Sequence, residues 1–355
     1  MEQGSLKFLY KLLETPSTSG YEEQIQKVVK NYIKDFASYL KIDLHGNLIV
    51  GINTKAPRSV MLSGHCDQIG FMVKYIDKNG FVHIHPVGGI DFGVVPGSRA
   101  IIKSKNGIVS GVFGRRAIHL QKPDERQNMK LASEENWIDI GAKDQKEACK
   151  LIEVGDPVTF ELGVSELKNN LISSPGLDDK VGCFVAIETL KKLAKTKLDV
   201  AVYAVSSVQE EVGLRGATTA SYSINPEVGI AIDVTHSTDN PGFPSSNKST
   251  DKKLGLGPTI SRGLNTNPIV EKMLFKTAKD LKLKVQTDLY PYPGGTDASA
   301  MQINRNGVAT NSIGIPCRYM HTTNEVVSLY DIEMAVKLLV GFIKNIKKST
   351  DFTPR

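Results

Sequence analysis

The chain has 355 residues, 40% of them hydrophobic and 23% charged, with 31 Gly and 16 Pro. Those fractions are ordinary for a folded protein and exclude collagen-like, low-complexity and wholly disordered chains. The formal net charge of +6 is small for this length and its lysines are scattered, so no nucleic-acid partner is expected.

At roughly 150 residues per domain, the length suggests about two domains. No apolar stretch of about 18 residues occurs, so no membrane association is expected. The opening MEQGSLKFLYKLLETPSTSG lacks the apolar core of a signal peptide. Cys66, Cys149, Cys183 and Cys317 are scattered, which suits a reduced, cytoplasmic protein better than a disulfide scaffold.

Leu6, Leu9, Leu12 and Leu13 stand at helical spacing, and a second helix is predicted after Ser19, burying Ile25, Val28, Val29, Tyr32 and Ile33. YLKIDLHGNLIVGI reads as two strands about a His-Gly-Asn turn, and SVMLSG as a short buried strand. From about residue 70 to 165 the texture changes to short β-type runs such as GFMVKYI, FVHIHPV, SRAIIKS and DPVTFEL. These predict a small all-β unit with a polar, partly helical excursion near 121–135. After Pro175 a helix is expected beyond Asp179, then strands at LDVAVYAVSS and GIAIDV, a helix near 266–282 and strands at NGVATNSIGI. A last helix carries Ile332, Val336, Leu339, Phe342, Ile343 and Ile346 on one face. The fold class is therefore α/β: a mixed, mostly parallel sheet covered by helices and interrupted by a small β domain. The expected divisions are 1–70 and 165–355 for the α/β domain and 71–164 for the insertion.

Several places put metal-binding side chains at strand ends or beside Gly-rich turns. In Ser63-Gly64-His65-Cys66-Asp67, His65 can bind through one ring nitrogen while Asp67 orients it through the other. In Gly176-Leu177-Asp178-Asp179-Lys180, either aspartate can cap the following helix, and one carboxylate can instead bridge two cations. Glu210 and Glu211 follow a hydrophobic strand, where one can bind metal while its neighbour stays free as a general base. Asp233 ends another apolar run, in the position where open α/β sheets build their sites. His321 lies in Arg318-Tyr319-Met320-His321, and Pro293-Gly294-Gly295-Thr296-Asp297 is a turn able to approach a substrate backbone. His83 and His85 share one strand face, with nothing nearby to complete a site. Two histidines, three binding carboxylates and a spare glutamate suit two divalent cations about 3.5–4 Å apart, which polarise a carbonyl and generate hydroxide near neutral pH. Nitrogen and oxygen donors without a Cys cluster favour Zn²⁺ or a similar borderline metal.

At these residues the sequence resembles the glutamyl-aminopeptidase and tetrahedral-aminopeptidase family of dinuclear metallopeptidases (metallopeptidase family 42), some of whose members are labelled cellulase or endoglucanase. The likeness is carried by SGHCDQIGFMV, PGLDDKVGCFVAIETL, SVQEEVGLRGA, AIDV, PGGTDASAMQ and CRYMHTTNEVVSLYDIE, and it runs over nearly the whole chain. The resemblance implies that Asp179 bridges both metals, that His65 and Asp233 complete one site, and that Glu211 and His321 complete the other. It further implies Glu210 as the general base, Asp67 as the partner of His65, and assembly into homo-oligomers, commonly dodecamers. The implied activity is removal of N-terminal residues from peptides with a free N-terminus, by a hydroxide held between two divalent metals, Zn²⁺ first and Co²⁺ or Mn²⁺ as alternatives. Gln68, Cys66, Ser299 and Gln302 depart from the family pattern without removing a metal ligand. A positively charged pocket would favour acidic N-terminal residues, with Arg262 or Arg318 as contributors. The alternatives are a metal-dependent deacylase or dipeptidase of similar chemistry, and a glycoside hydrolase using paired carboxylates.

Overall fold

The computed structural model describes residues 1–122, 136–243, 250–292 and 294–354. Beyond residue 122 the expected excursion near 121–135 lies outside the described residues, as does Pro293. The main sheet holds eleven strands among the described residues. Four parallel strands make its centre: Ala201–Ser207, Ser59–His65, Val228–His236 and Ala309–Arg318 stand side by side in that order. The margins are antiparallel. The hairpin Tyr39–Ile42 and Leu48–Ile52 extends one edge. Glu325–Ser328, Leu171–Ser174 and Ser165–Leu167 extend the other. Thr259–Gly263 and Gln286–Tyr290 form a parallel branch off the Ala309–Arg318 strand.

Side chains alternate between the faces of the central strands, and both faces are covered. Val60, Leu62, Ile230 and Ile232 join one core with the helices Gln3–Leu13, Glu23–Ile33, Leu177–Leu193 and Leu329–Asn345. Met61, Val205 and Ala231 face the other way, against Ala220 of the Arg215–Ile224 helix and Ala298 and Met301 of the Asp297–Gln302 helix. Strand and helix touch backbone to backbone at one point. A Cβ on Gly64 would lie 2.2 Å from the carbonyl carbon of Gly182, so only glycine lets Ser59–His65 and Leu177–Leu193 approach this closely.

Between His65 and the Ser165–Leu167 strand, the described residues hold a closed barrel of six strands. They are Gly70–Ile76, Val82–Val87, Arg99–Ser104, Gly107–Gly114, Trp137–Asp139 and Pro157–Phe160. Phe71, Phe113 and Phe160 fill it, with ring centroids 5.0 to 5.6 Å apart. On Val82–Val87, Val82 and Ile84 point inward, while His83 stacks on Tyr75 with ring centroids 4.2 Å apart. Among the described residues no helix is long and apolar enough to cross a membrane.

Candidate metal centre

The four central strands run the same way, so their carboxyl ends converge, and these ends deliver the polar side chains. His65 is the last residue of its strand, Gln209-Glu210-Glu211 follows Ala201–Ser207, and Asp233 lies near the end of Val228–His236. Asp178 enters from the start of the Leu177–Leu193 helix, whose first residues Asp178 and Asp179 are not yet helical. His321 enters from the turn after Ala309–Arg318.

Two sets of atoms able to ligate a metal result, His65 with Asp178 and Asp233, and Asp178 with Glu211 and His321. Asp178 belongs to both. Its Oδ1 is 3.3 Å from His65 Nε2 and its Oδ2 is 3.2 Å from His321 Nε2. Glu211 Oε1 lies 3.4 Å from His321 Nε2, and Asp233 Oδ1 lies 3.9 Å from His65 Nε2. Glu210 belongs to neither set, although its Oε2 stands 3.7 Å from His65 Nε2.

This arrangement corrects the expected role of Asp179. Asp179 Oδ1 accepts the Gly182 amide at 2.9 Å and Oδ2 accepts the His65 amide at 3.2 Å, so the carboxylate caps the helix and ties it to the strand. The cap and the inward-facing carboxylate are both present, divided between the two neighbours. The turn at Gly176, with φ of +71°, precedes the pair.

Each histidine is oriented through its other nitrogen. His65 Nδ1 is 3.0 Å from the Asp67 carbonyl and 3.5 Å from its carboxylate, leaving Nε2 to face Asp178. The buried Asp67 carboxylate also accepts from Ser19 Oγ at 2.6 Å and from the amides of Glu210 and Glu211 at 3.0 and 3.3 Å. His321 Nδ1 is 2.9 Å from the carbonyl of Gly89, which the barrel segment supplies. Sequence reasoning missed Glu325. Its two oxygens accept the His321 and Asp178 amides at 2.8 and 3.0 Å, so one buried carboxylate sets two ligand-bearing turns. Only its place at the head of the apolar pair Val326-Val327 hinted at an inward carboxylate.

The electrostatics fit divalent cations. Burial pushes the Glu210 carboxyl up to about 10, opposed by His65 and reinforced by Asp233 and Asp297. Burial and the Asp178 charge push Asp233 up as well. Against the pull of burial, hydrogen bonds from His321 and His65 hold Asp178 below the usual carboxylate range. Glu211 Oε1 is buried without a hydrogen bond. Buried carboxyls held up in this way beside two imidazoles are ones whose ionised forms divalent cations would stabilise. Nitrogen and oxygen donors in this number suit divalent cations rather than a thiolate-bound structural ion. The cleft above these residues measures about 580 Å³.

A helix-covered sheet with His and carboxylate sets at the carboxyl ends of its parallel strands defines a protein built around a candidate divalent-metal centre. The profile of the M42 glutamyl aminopeptidases matches residues 46–338, and the chain belongs to that family. It is 36% identical to a lysyl aminopeptidase of Pyrococcus furiosus over 350 residues, covering 98% of this chain and 99% of that one. An aminopeptidase structure from Desulfurococcus kamchatkensis matches with a TM-score of 0.89 and 34% identity, over 97% of this chain and 95% of the other. A Pyrococcus horikoshii TET1 peptidase, described as assembling into a tetrahedron or a large octahedral shell, matches with a TM-score of 0.85 and 31% identity. That match covers 96% of this chain and all of the other. The chain is accordingly a peptidase, a hydrolase of the aminopeptidase kind that depends on divalent metal.

Proposed function

We propose that the chain removes the N-terminal residue from peptides with a free amine, using two divalent cations held by His65, Asp178, Asp233, Glu211 and His321. The observation that carries this reading is the single Asp178 carboxylate facing a histidine at each oxygen. Bound cations would supply Lewis acidity, polarising the scissile carbonyl and lowering the pKa of water. Glu210 stands beside the ligands without joining either set, which suits a general base. Its carboxylate takes a proton from the attacking water and returns it to the departing amine as the C–N bond breaks. Asp67 and Glu325 fix the ligand-bearing turns through their amides. The barrel, residues 71–164 in this division, forms one rim of the cleft and orients His321. Zn²⁺ is the first choice of ion for this donor set, with Co²⁺ and Mn²⁺ as alternatives. By likeness to the tetrahedral and octahedral shells of the P. horikoshii peptidase, the chain assembles as a homo-oligomer, for which a dodecamer is the first candidate.

The test is amide hydrolysis after exhaustive chelation and reloading with Zn²⁺, Co²⁺ or Mn²⁺. Activity should vanish on chelation, return with metal, and fail on substrates whose amine is blocked. Glu210→Gln should retain the metal and lose roughly 10²–10⁴-fold in turnover. Full activity in that variant would remove Glu210 from the mechanism.

A further inference from the structure

The cleft has a second wall, beside the ligands, whose chemistry bears on which N-terminal residue is accepted. Leu214, Val234, Thr235, Tyr290, Thr296 and Met320 line it, and His236 adds an exposed imidazole. No Lys or Arg lines the cleft among the described residues, and its carboxylates are the ligand set and Glu210. The two arginines that would have made the pocket cationic are engaged elsewhere. Arg318 donates to both oxygens of Asp239, at 3.0 and 2.7 Å, and Arg262 pairs with Glu271 at 2.7 Å.

Directly behind this wall lies an ion pair. Lys252 Nζ is 2.5 Å from Asp288 Oδ1, with side-chain exposures of 11% and 4%. Both charges meet the wall itself. Lys252 Nζ donates to Thr235 Oγ1 at 3.3 Å, and the Thr235 hydroxyl in turn donates to Asp288 Oδ2. Asp288 and Tyr290 alternate along one strand, so they share a face, and the Tyr290 hydroxyl meets both Thr235 and Asp288. The pair therefore stands one side chain away from the space an N-terminal side chain would fill. Each member cancels the other, and neither offers a net charge to a ligand.

Building on the aminopeptidase reading, we propose that this wall receives the substrate's N-terminal side chain, and that the Lys252–Asp288 pair keeps it neutral, so that the enzyme takes peptides beginning with an uncharged, apolar residue. An acidic side chain would face the Glu210 carboxylate with no free cation among the described residues. A lysyl ammonium would find Asp288 already paired. A leucyl or methionyl chain lies against Leu214, Tyr290 and Met320 and gains by burial.

The experiment compares kcat/KM of the metal-loaded enzyme on Leu-, Met-, Glu- and Lys-p-nitroanilide, alongside calorimetric binding of the free amino acids. Leu and Met should exceed Glu and Lys by about tenfold or more. Asp288→Asn leaves the Lys252 ammonium uncompensated and should raise the Glu-to-Leu ratio about tenfold. Lys252→Met should raise the Lys-to-Leu ratio instead, and the double variant should return to the parental preference. A merely structural role for the pair would lower all four substrates together. Either folded single variant suffices, and the parental panel decides the substrate class without them. A parental preference for Glu or Lys, or single-variant ratios that do not move, overturns this proposal while leaving the aminopeptidase reading intact. No release from any free-amine substrate with any metal overturns both.

Discussion

Asp178 and Asp179 are chemically identical and adjacent, yet their surroundings give them separate work. Asp178→Asn halves the oxygen donors that face His65 and His321, so both metal sets are affected. Elemental analysis should find less than one ion per chain. Asp179→Asn keeps one oxygen for the Gly182 and His65 amides, so metal content should hold near two ions while stability falls by about 1–2 kcal/mol. Equal metal loss in the two variants would return the bridging role to Asp179. The side chains that converge at the cleft were legible where His65, Glu210, Glu211 and Asp233 each follow an apolar run, whereas His321 was a lone histidine in Arg318-Tyr319-Met320-His321. The choice between the two aspartates was not legible. It depends on the turn at Gly176 and on the Gly64–Gly182 contact, which are tertiary facts. Glu325 and Ser19 escaped for a related reason, since they act on backbone amides and on Asp67 rather than on a substrate.

At the scale of elements, the site depends on how closely the Ser59–His65 strand approaches the Leu177–Leu193 helix. Gly64→Ala would put a methyl 2.2 Å from the Gly182 carbonyl carbon and 2.4 Å from the Cys183 amide nitrogen. Backbone atoms cannot rotate aside, so strand and helix must separate. The expected cost is about 2–3 kcal/mol, read as a lowered denaturation midpoint, and metal affinity should fall with it because His65 and Asp178 ride on the two elements. An unchanged midpoint would mean the elements yield more easily than close packing allows. The central strands and long helices were legible because burial on both faces writes apolar runs and a 3.6-residue period. The antiparallel margins were less so, and Thr259–Gly263 with Gln286–Tyr290 went unread. Their sequences, TISRG and QTDLY, mix polar and apolar residues without a clean alternation.

At the scale of the whole molecule, barrel and sheet meet at His321, whose Nδ1 faces the Gly89 carbonyl from the barrel segment. On the proposed reading the barrel therefore holds one ligand of one metal set, while His65 is oriented from within its own strand end by Asp67. That asymmetry makes the two sets differ in their response to barrel damage. Phe71 is buried against Phe92, Phe113 and Phe160, and Phe71→Ala should cost about 3–5 kcal/mol of barrel stability. As the barrel loosens, the Gly89 carbonyl loses its fixed position and the His321 ring its orientation. Removing such a partner typically weakens metal binding about 10–100-fold. Chelator titration followed by elemental analysis should then show one ion leaving at much lower chelator concentration than the other, with a clear one-ion plateau. Simultaneous release of both ions in the variant would mean that the shared Asp178 couples the sets more strongly than the barrel distinguishes them. Release unchanged from the parent would mean that Glu211 and Glu325 hold His321 in place without the barrel's help.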